Sequence, residues 1–196
     1  MPRIIAGALG GRTIPSPPSD RTRPTSDRVR EALFSRLTSW GVIEDAVVLD
    51  LFAGTGALGF EALSRGARHV SAYEAHGPTA AAIRRSARQL GLEERMSVHA
   101  ARVTPSLLAS LAPVHAGEFS LVFADPPYAV GSGDLAVMIE ALGDSGALAP
   151  ECTLVIEQSS RAEPLALGSC FVSDATASFG DTRLDFLAFL PEQGGA

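Results

Sequence analysis

Lysine is absent from this chain of 196 residues, and all 16 of its basic residues are arginine. Cysteine is scarce as well. Cys152 and Cys170 lie in apolar stretches without a CxxC or histidine pattern, which indicates buried thiols rather than a disulfide or a metal site. The four histidines show no ligand spacing. These shortages exclude a disulfide-based scaffold and argue against zinc, so we expect no metal.

Long apolar runs are also missing. No run approaches the roughly 18 residues that a membrane span needs, and the N-terminus lacks the apolar segment of a signal peptide. We therefore expect a cytoplasmic protein with no membrane partner. A chain of this length fits one domain, which would bury roughly 70% of the surface that the unfolded chain exposes.

The arginines are concentrated near the N-terminus. Seven of them fall in the first 36 residues against three acidic residues, a local net charge of +4, although the whole chain carries −6. An acidic protein is a poor general binder of polyanions, yet a local arginine-rich arm can contact phosphates, which match the planar guanidinium. The same cluster could instead form the solvated face of a helix.

The clearest local pattern is VVLDLFAGTGALGFEALSRGA at 47–67. An apolar strand ends at Asp50, glycines follow at positions 54, 56 and 59, and a helix-like stretch comes next, as in a nucleotide-binding βαβ unit. The glycines do not have the GxGxxG spacing of a dehydrogenase, and Asp50 would repel a pyrophosphate. An acid at this place suits the ammonium group of a ligand such as S-adenosylmethionine.

Glu74 closes the next apolar strand, HVSAYEA at 69–75. A carboxylate at the end of this strand can accept hydrogen bonds from both ribose hydroxyls of an adenosine. A solvent-exposed glutamate without a ligand would give the same pattern. Taken with Asp50 and the glycine turn, Glu74 favours a ligand that contains adenosine.

Asp125-Pro126-Pro127-Tyr128 follows the apolar run FSLVFA at 119–124. This tetrapeptide offers a carboxylate, a backbone carbonyl and an aromatic face at one strand end, and these groups could hold the planar amino group of a nucleobase. Acceptors at Asp125 and Pro126 would turn the nitrogen lone pair towards an electrophile. A simpler interpretation is that the prolines end a strand and Tyr128 covers the core.

These motifs resemble those of class I S-adenosylmethionine-dependent methyltransferases that modify an exocyclic amine. In addition, RIIAGALGGRTI at 3–14 and RPTSDRVREALF at 23–34 are similar to the RsmD family, bacterial enzymes that methylate the N2 amine of a guanine in 16S ribosomal RNA. The likeness runs from Arg3 to about Leu190. It implies S-adenosylmethionine as cofactor, and a monomeric enzyme whose partner is 16S rRNA in an assembling 30S subunit.

The resemblance also implies a set of site residues. The catalytic residues would be Asp125, Pro126 and Tyr128. The expected cofactor-binding residues are Asp50, Phe52, Gly54, Thr55, Gly56, Glu74, Ala101, Arg102, Thr25, Asp27 and Arg28. The expected substrate-binding residues are Arg3, Arg12, Arg23 and Pro127.

The sequence departs from the family pattern in three places. Ala8-Leu9 stands where relatives usually carry basic or aromatic residues, which weakens the case for RNA contact there. The segment HAARVTP at 99–105 lacks the acid that many methyltransferases use for the adenine amine, so we expect backbone near Ala101 and Arg102 to make that contact. Phe179 replaces a common tyrosine.

Strand and helix patterns alternate after the N-terminal arm, which predicts a doubly wound, seven-stranded Rossmann-like α/β sheet with a C-terminal antiparallel hairpin. The expected strands are 46–50, 69–74, 96–100, 119–124, 152–157, 170–176 and 183–190. The expected helices are 27–38, with one apolar face, and 57–66, 77–90, 104–112 and 134–143. We expect 1–40, arm and helix, to belong to the same domain as the methyltransferase region 41–196.

Three other functions fit parts of this pattern. A DNA adenine-N6 methyltransferase also uses Asp-Pro-Pro-Tyr, although the chain shows nothing like an added DNA-recognition domain. A dehydrogenase shares the sheet topology but not the glycine spacing. A non-catalytic ribosome-assembly factor could keep the fold and bind rRNA.

Overall fold

The computed structural model describes residues 2–15, 27–111 and 115–191. The chain forms two compact units, the first ending at Arg102 and the second beginning at Val103. None of the described helices is long and apolar enough to cross a membrane.

The first unit alternates helices and strands around a parallel sheet. Its elements are α1 (Asp27–Trp40), β1 (Val47–Asp50), α2 (Ala57–Ser64), β2 (His69–Tyr73), α3 (Gly77–Leu90) and β3 (Met96–His99). In this sheet β2 lies between β1 and β3, with Val48 opposite Val70 and Ala72 opposite Val98. The four residues of β1 are all buried, as expected for a strand covered on both faces.

Helix α1 buries the apolar face that the sequence predicts. Val29, Leu33, Phe34 and Leu37 recur at helical spacing, and all four are buried. The helix ends at Trp40, two residues beyond the predicted end, and Gly41 follows with a φ of 72°. A glycine in the left-handed region is a common helix terminator because other residues are strained there.

The N-terminal arm, residues 2–15, folds back on itself. Arg3 and Thr13 form an antiparallel bridge, and the Ile4 N–H donates to the Arg12 carbonyl at 2.9 Å. Ile4 and Ile14 are completely buried. The arm is therefore a hairpin fixed to the first unit by apolar side chains.

The second unit continues the alternation and ends in the predicted hairpin. Its elements are α4 (Pro105–Ala109), β4 (Phe119–Ala124), α5 (Ser132–Asp144), β5 (Leu148–Ser159), β6 (Phe171–Phe179) and β7 (Thr182–Phe189). Strands β4 and β5 are parallel, whereas β7 pairs antiparallel with both β5 and β6. The turn between β6 and β7 contains Gly180 at a φ of 62°.

The strand order is β3-β2-β1-β4-β5-β7-β6 in a seven-stranded sheet. The order reverses after β1, as in a doubly wound sheet, so the predicted α/β fold is confirmed. Edge strand β3 is only four residues long, and the Arg84 guanidinium of α3 donates to its Val98 carbonyl at 2.6 and 3.2 Å.

Candidate functional site

The glycine turn between β1 and α2 is tied to the ends of the neighbouring strands. The Ala53 N–H donates to the Tyr73 carbonyl at 2.9 Å, and the Gly54 N–H donates to Glu74 Oε2 at 3.0 Å. Gly56 has a φ of 78°, and a Cβ there would lie 2.9 Å from the Phe60 ring. The turn therefore requires glycine at position 56 and is held in one conformation by the end of β2.

Asp50 is the last residue of β1 and is only 1% exposed. The pKa of its carboxyl is raised to about 7, chiefly by burial and also by the charge of Glu74, while a hydrogen bond from the Gly59 N–H opposes the rise. Its Oδ2 has no hydrogen-bond partner among the residues that the structure describes. A buried acceptor of this kind would gain from a donor group of a ligand.

Glu74 lies at the end of β2 with both carboxylate oxygens oriented by backbone. Oε2 accepts from the Gly54 N–H, and Oε1 accepts from the His76 N–H at 2.7 Å. Each carboxylate oxygen can accept a second hydrogen bond. Glu74 is half-buried, so its remaining acceptor capacity suits a pair of hydroxyl groups.

Four other predicted cofactor residues follow the ends of β1 and β3. Phe52 and Thr55 are half-buried in the glycine turn. Ala101 is half-buried and Arg102 exposed in the segment that follows β3. The Glu74 N–H donates to the carbonyl of His99, the last residue of β3, at 3.0 Å. The predicted adenine contact at Ala101 and Arg102 stays a prediction.

The predicted binding residues near α1 are only partly described. Thr25 and Arg23 lie outside the described residues. Asp27 and Arg28 are exposed in the first turn of α1. Asp27 accepts from the Arg30 guanidinium at 2.9 Å, so its carboxylate already pairs with a buried arginine of the same helix.

The Asp-Pro-Pro-Tyr turn follows β4 in the second unit. The preceding residues 121–124 are buried, whereas Asp125 and Pro126 are half-buried and Pro127 is exposed. The Val130 N–H donates to the Pro127 carbonyl at 2.9 Å and closes the turn. The structure shows no hydrogen bond to the Pro126 carbonyl among the described residues.

Tyr128 is 83% exposed. This exposure contradicts the simpler interpretation in which the tyrosine covers the core. An aromatic ring on the surface, directly after a buried strand, is available to stack on a planar ligand.

Arg3 and Arg12 are both exposed on the arm. The arm itself is fastened to α2 by Glu61 and Ser64, two buried residues that the sequence analysis missed. Two signals could have found them. Glu61 is a charged residue in the otherwise apolar helix ALGFEALS, and Gly7 marks a close approach, since a Cβ there would lie 2.0 Å from the Ser64 carbonyl oxygen.

No group of three or more histidine, cysteine or acidic side chains that could hold a metal ion occurs within 2–15, 27–111 or 115–191. Cys152 is buried and Cys170 half-buried, and they form no disulfide in the part of the chain that the structure describes. The carboxylates at the strand ends, Asp50 and Glu74, are acceptors that suit ammonium and hydroxyl groups.

Comparison with known proteins gives consistent results. The model of the family described as conserved hypothetical protein 95 matches residues 2–188. Ribosomal RNA small subunit methyltransferase D of Escherichia coli K12 is 41% identical over 157 residues, which is 79% of this chain and 73% of that protein.

Solved structures show the same fold. The structure of yhhF from Escherichia coli, a proposed methyltransferase, superposes with a TM-score of 0.83 at 31% identity, over 97% of this chain and 98% of that one. An RNA methyltransferase from Salinibacter ruber, solved with S-adenosyl-L-homocysteine, has a TM-score of 0.62 over 88% of this chain and 97% of that one. At 17% identity, this second likeness concerns the fold alone.

The fold is that of a Rossmann-like methyltransferase. Within that class, the match of the family model to nearly the whole chain shows that the protein belongs to the RsmD family.

Proposed function

We propose that this protein transfers a methyl group from S-adenosylmethionine to the exocyclic N2 amine of a guanine in 16S ribosomal RNA, of the guanine-966 type. Family membership supports the rRNA substrate, since the Escherichia coli relative is named a ribosomal RNA small subunit methyltransferase. The motif residues support the reaction. The assembling 30S subunit as the substrate form and a monomeric enzyme are parts of the same proposal.

The observation that carries the proposal is the exposed turn after β4. Tyr128 is largely exposed, and the carbonyl of Pro126 takes no hydrogen bond among the described residues. The Asp125 carboxylate and this carbonyl would accept the two N–H bonds of the guanine amine, while the Tyr128 ring would stack on the base. Acceptors placed for the charge that develops on the nitrogen stabilise the transition state more than the ground state.

The strand ends of the first unit would hold the cofactor. Glu74, oriented by two backbone N–H groups, would accept the ribose hydroxyls, and Asp50 would accept from the ammonium group directly or through water. S-adenosylmethionine supplies a methyl group that is already activated on a sulfonium. The residues of this chain have to align the amine with that methyl and exclude water, so no strong base is required.

A bacterium that lacks its own relative of this protein provides the test. Mass spectrometry of its 16S rRNA should show one missing N2-methylguanine, and this protein should restore it. If the protein methylates adenine in DNA instead, its substrate is DNA and not rRNA. Binding of 16S rRNA without methyl incorporation into any nucleic acid would indicate a non-catalytic assembly factor.

Cofactor binding is tested separately. Asp50→Ala and Glu74→Ala should each weaken the binding of S-adenosylmethionine in calorimetry, because each removes an acceptor at the strand ends. Glu44→Ala, at an exposed position of the same unit, is the control and should bind normally. Unchanged affinity in both site variants would remove the cofactor assignment.

A further inference from the structure

Glu61 lies in the middle of α2 and is completely buried, yet its main partners belong to the N-terminal arm. Its Oε2 accepts from the Ile5 N–H at 2.7 Å, and its Oε1 accepts from the Ala6 N–H at 3.1 Å. A buried carboxylate is unfavourable unless it is paired and hydrogen-bonded. Glu61 meets this condition through the two donors that the backbone of the arm supplies, together with an ion pair to Arg65.

The charge of Glu61 is balanced from α2 and α1. The Arg65 Nε donates to Glu61 Oε1 at 2.7 Å, and the Arg65 guanidinium lies 5.2 Å from the centre of the Phe34 ring. Arg30 of α1 is also buried; burial lowers the pKa of its guanidinium, while the charges of Asp27 and Glu61 oppose that change. Glu61 is therefore part of a charged cluster beneath the arm.

Three further side-chain hydrogen bonds fasten the arm around Glu61, in addition to a backbone hydrogen bond that the Ser64 carbonyl accepts. Ser64 Oγ accepts from the Leu9 N–H at 2.9 Å and donates to the Ala6 carbonyl at 2.5 Å. The Arg30 guanidinium donates to the Arg3 carbonyl. We call Glu61, Ser64 and Arg30 the arm latch. The latch holds backbone and leaves the side chains of the arm's arginines outside.

The outer side of the arm is suited to a polyanion. Arg3 and Arg12 are exposed, and residues 2–15 include no acidic residue. The backbone at each arginine is fixed, since the Arg3 carbonyl accepts from Arg30 and the Arg12 carbonyl accepts from the Ile4 N–H. Side chains on a fixed backbone lose less entropy when they bind a ligand than side chains on a free segment.

From these contacts we infer that Glu61 is a positioning residue for RNA: it holds the arm so that Arg3 and Arg12 meet substrate phosphates in a preset geometry. This inference rests on the proposed function, and it assigns no contact between Glu61 and the RNA. Loss of the latch should weaken RNA binding and leave the methyl-transfer step intact.

Glu61→Gln tests the inference because the amide keeps the size of the side chain but replaces one acceptor oxygen with a donor. With 30S particles that lack the modification, KM should rise about tenfold and kcat should stay within about twofold, since the lost groups act through binding. Calorimetry should show unchanged affinity for S-adenosylmethionine. Hydrogen exchange should be faster at the amides of Ile5 and Ala6.

Glu140→Gln is the matched control. Glu140 Oε1 accepts from the Gly168 N–H at 2.5 Å, so this carboxylate also holds backbone, but in the second unit. Its substitution should leave KM for the 30S particle unchanged. Should Glu61→Gln fold poorly, Ser64→Ala removes two latch hydrogen bonds without a change in charge and should give a smaller rise in KM.

Coupling to the arginines distinguishes positioning from general damage. Glu61→Gln is therefore added to the double variant Arg3→Ala/Arg12→Ala. If Glu61 acts through these two arginines, the added substitution should raise KM by less than the tenfold expected in the wild-type background. Full additivity, or an unchanged KM despite faster exchange in the arm, would overturn the inference. A wild-type protein that never methylates 30S particles would instead overturn the proposed function.

Discussion

The carboxylates of the candidate site and of the arm latch in the first unit are buried or half-buried and accept backbone hydrogen bonds, whereas the Asp-Pro-Pro-Tyr turn of the second unit reaches the surface at Pro127 and Tyr128. Asp50 and Glu61 are buried, but Tyr128 is largely exposed. The difference indicates that folding alone orients the residues that would bind the cofactor and hold the arm. The residues that would bind a base are oriented only by a short turn after a buried strand. Substitutions in the two units should therefore have different signatures.

The largest effect is expected from Asp125→Ala in the second unit. Loss of an acceptor for the amine should lower kcat by about 100- to 1,000-fold, while cofactor affinity and stability stay near wild type. A radiolabelled methyl assay and calorimetry measure the two properties. Asp134→Ala, at an exposed position of α5, is the control. Near-normal turnover of Asp125→Ala would contradict the proposal that Asp125 accepts a hydrogen bond from the guanine amine.

Asp50 in the first unit should instead show a dependence of stability on pH. Its pKa is raised to about 7 in the folded protein, whereas an unfolded aspartate titrates near 3.9. Between these values the folded state keeps a proton that the unfolded state has lost, so the contribution of Asp50 to stability falls as pH rises from about 4 to about 7.

Urea unfolding of wild type and Asp50→Asn near pH 5 and near pH 8 measures this contribution. Between these two pH values the variant should gain up to roughly 3 kcal/mol of stability relative to wild type, because asparagine carries no charge to bury. The gain should come with weaker binding of S-adenosylmethionine. An equal difference at the two pH values would contradict the raised pKa.

Substitution of Tyr128 tests the role of the exposed turn in the second unit. Tyr128→Ala should raise KM for the RNA substrate by the equivalent of about 1–3 kcal/mol, which is the range for a base stacked on an aromatic ring. Its stability should change by less than about 0.5 kcal/mol because the ring is exposed. Tyr128→Phe keeps the ring and should behave like wild type. A stability loss in Tyr128→Ala would place the ring in the core after all.

The smallest effect is expected from alanine substitutions at two glycines of the first unit. Gly56 and Gly91 both have a positive φ, but a Cβ lies 2.9 Å from Phe60 at position 56 and meets nothing within 4 Å at position 91. Each alanine variant should lose about 1–2 kcal/mol of stability from backbone strain, with somewhat more at position 56. Only Gly56→Ala should weaken cofactor binding, and an equal effect in Gly91→Ala would argue against a role for the turn.

Most of the fold follows from local pattern. The strands near Asp50, Tyr73 and Ala124 begin and end within about two residues of their predicted bounds, because buried parallel strands read as short apolar runs. Strands β5 and β6 depart further, since β5 begins at Leu148 and not at 152 and β6 ends at Phe179 and not at 176. Pro150 and Glu151, the latter at a φ of 61°, have the features of a loop although they lie within β5.

The candidate site is less predictable than the fold. Asp50, Glu74 and the turn at 125–128 were visible because strand-end acids and consecutive prolines are local signals. The arm latch was not visible, since Glu61 and Ser64 bond residues more than 50 positions away. The burial of Arg30 was not visible either, because tertiary packing and not local pattern produces it. That 1–40 belong to the same domain as 41–196 stays a prediction.

Edge strand β3 has a consequence for solubility. An open strand edge offers unpaired backbone groups to any other extended chain and is a common starting point for aggregation. On β3 the Arg84 guanidinium already occupies the Val98 carbonyl, and the strand offers only four residues to a partner. A charged side chain at the edge of the sheet thus protects the protein from edge-to-edge aggregation. The net charge of −6 alone would give only modest repulsion between copies.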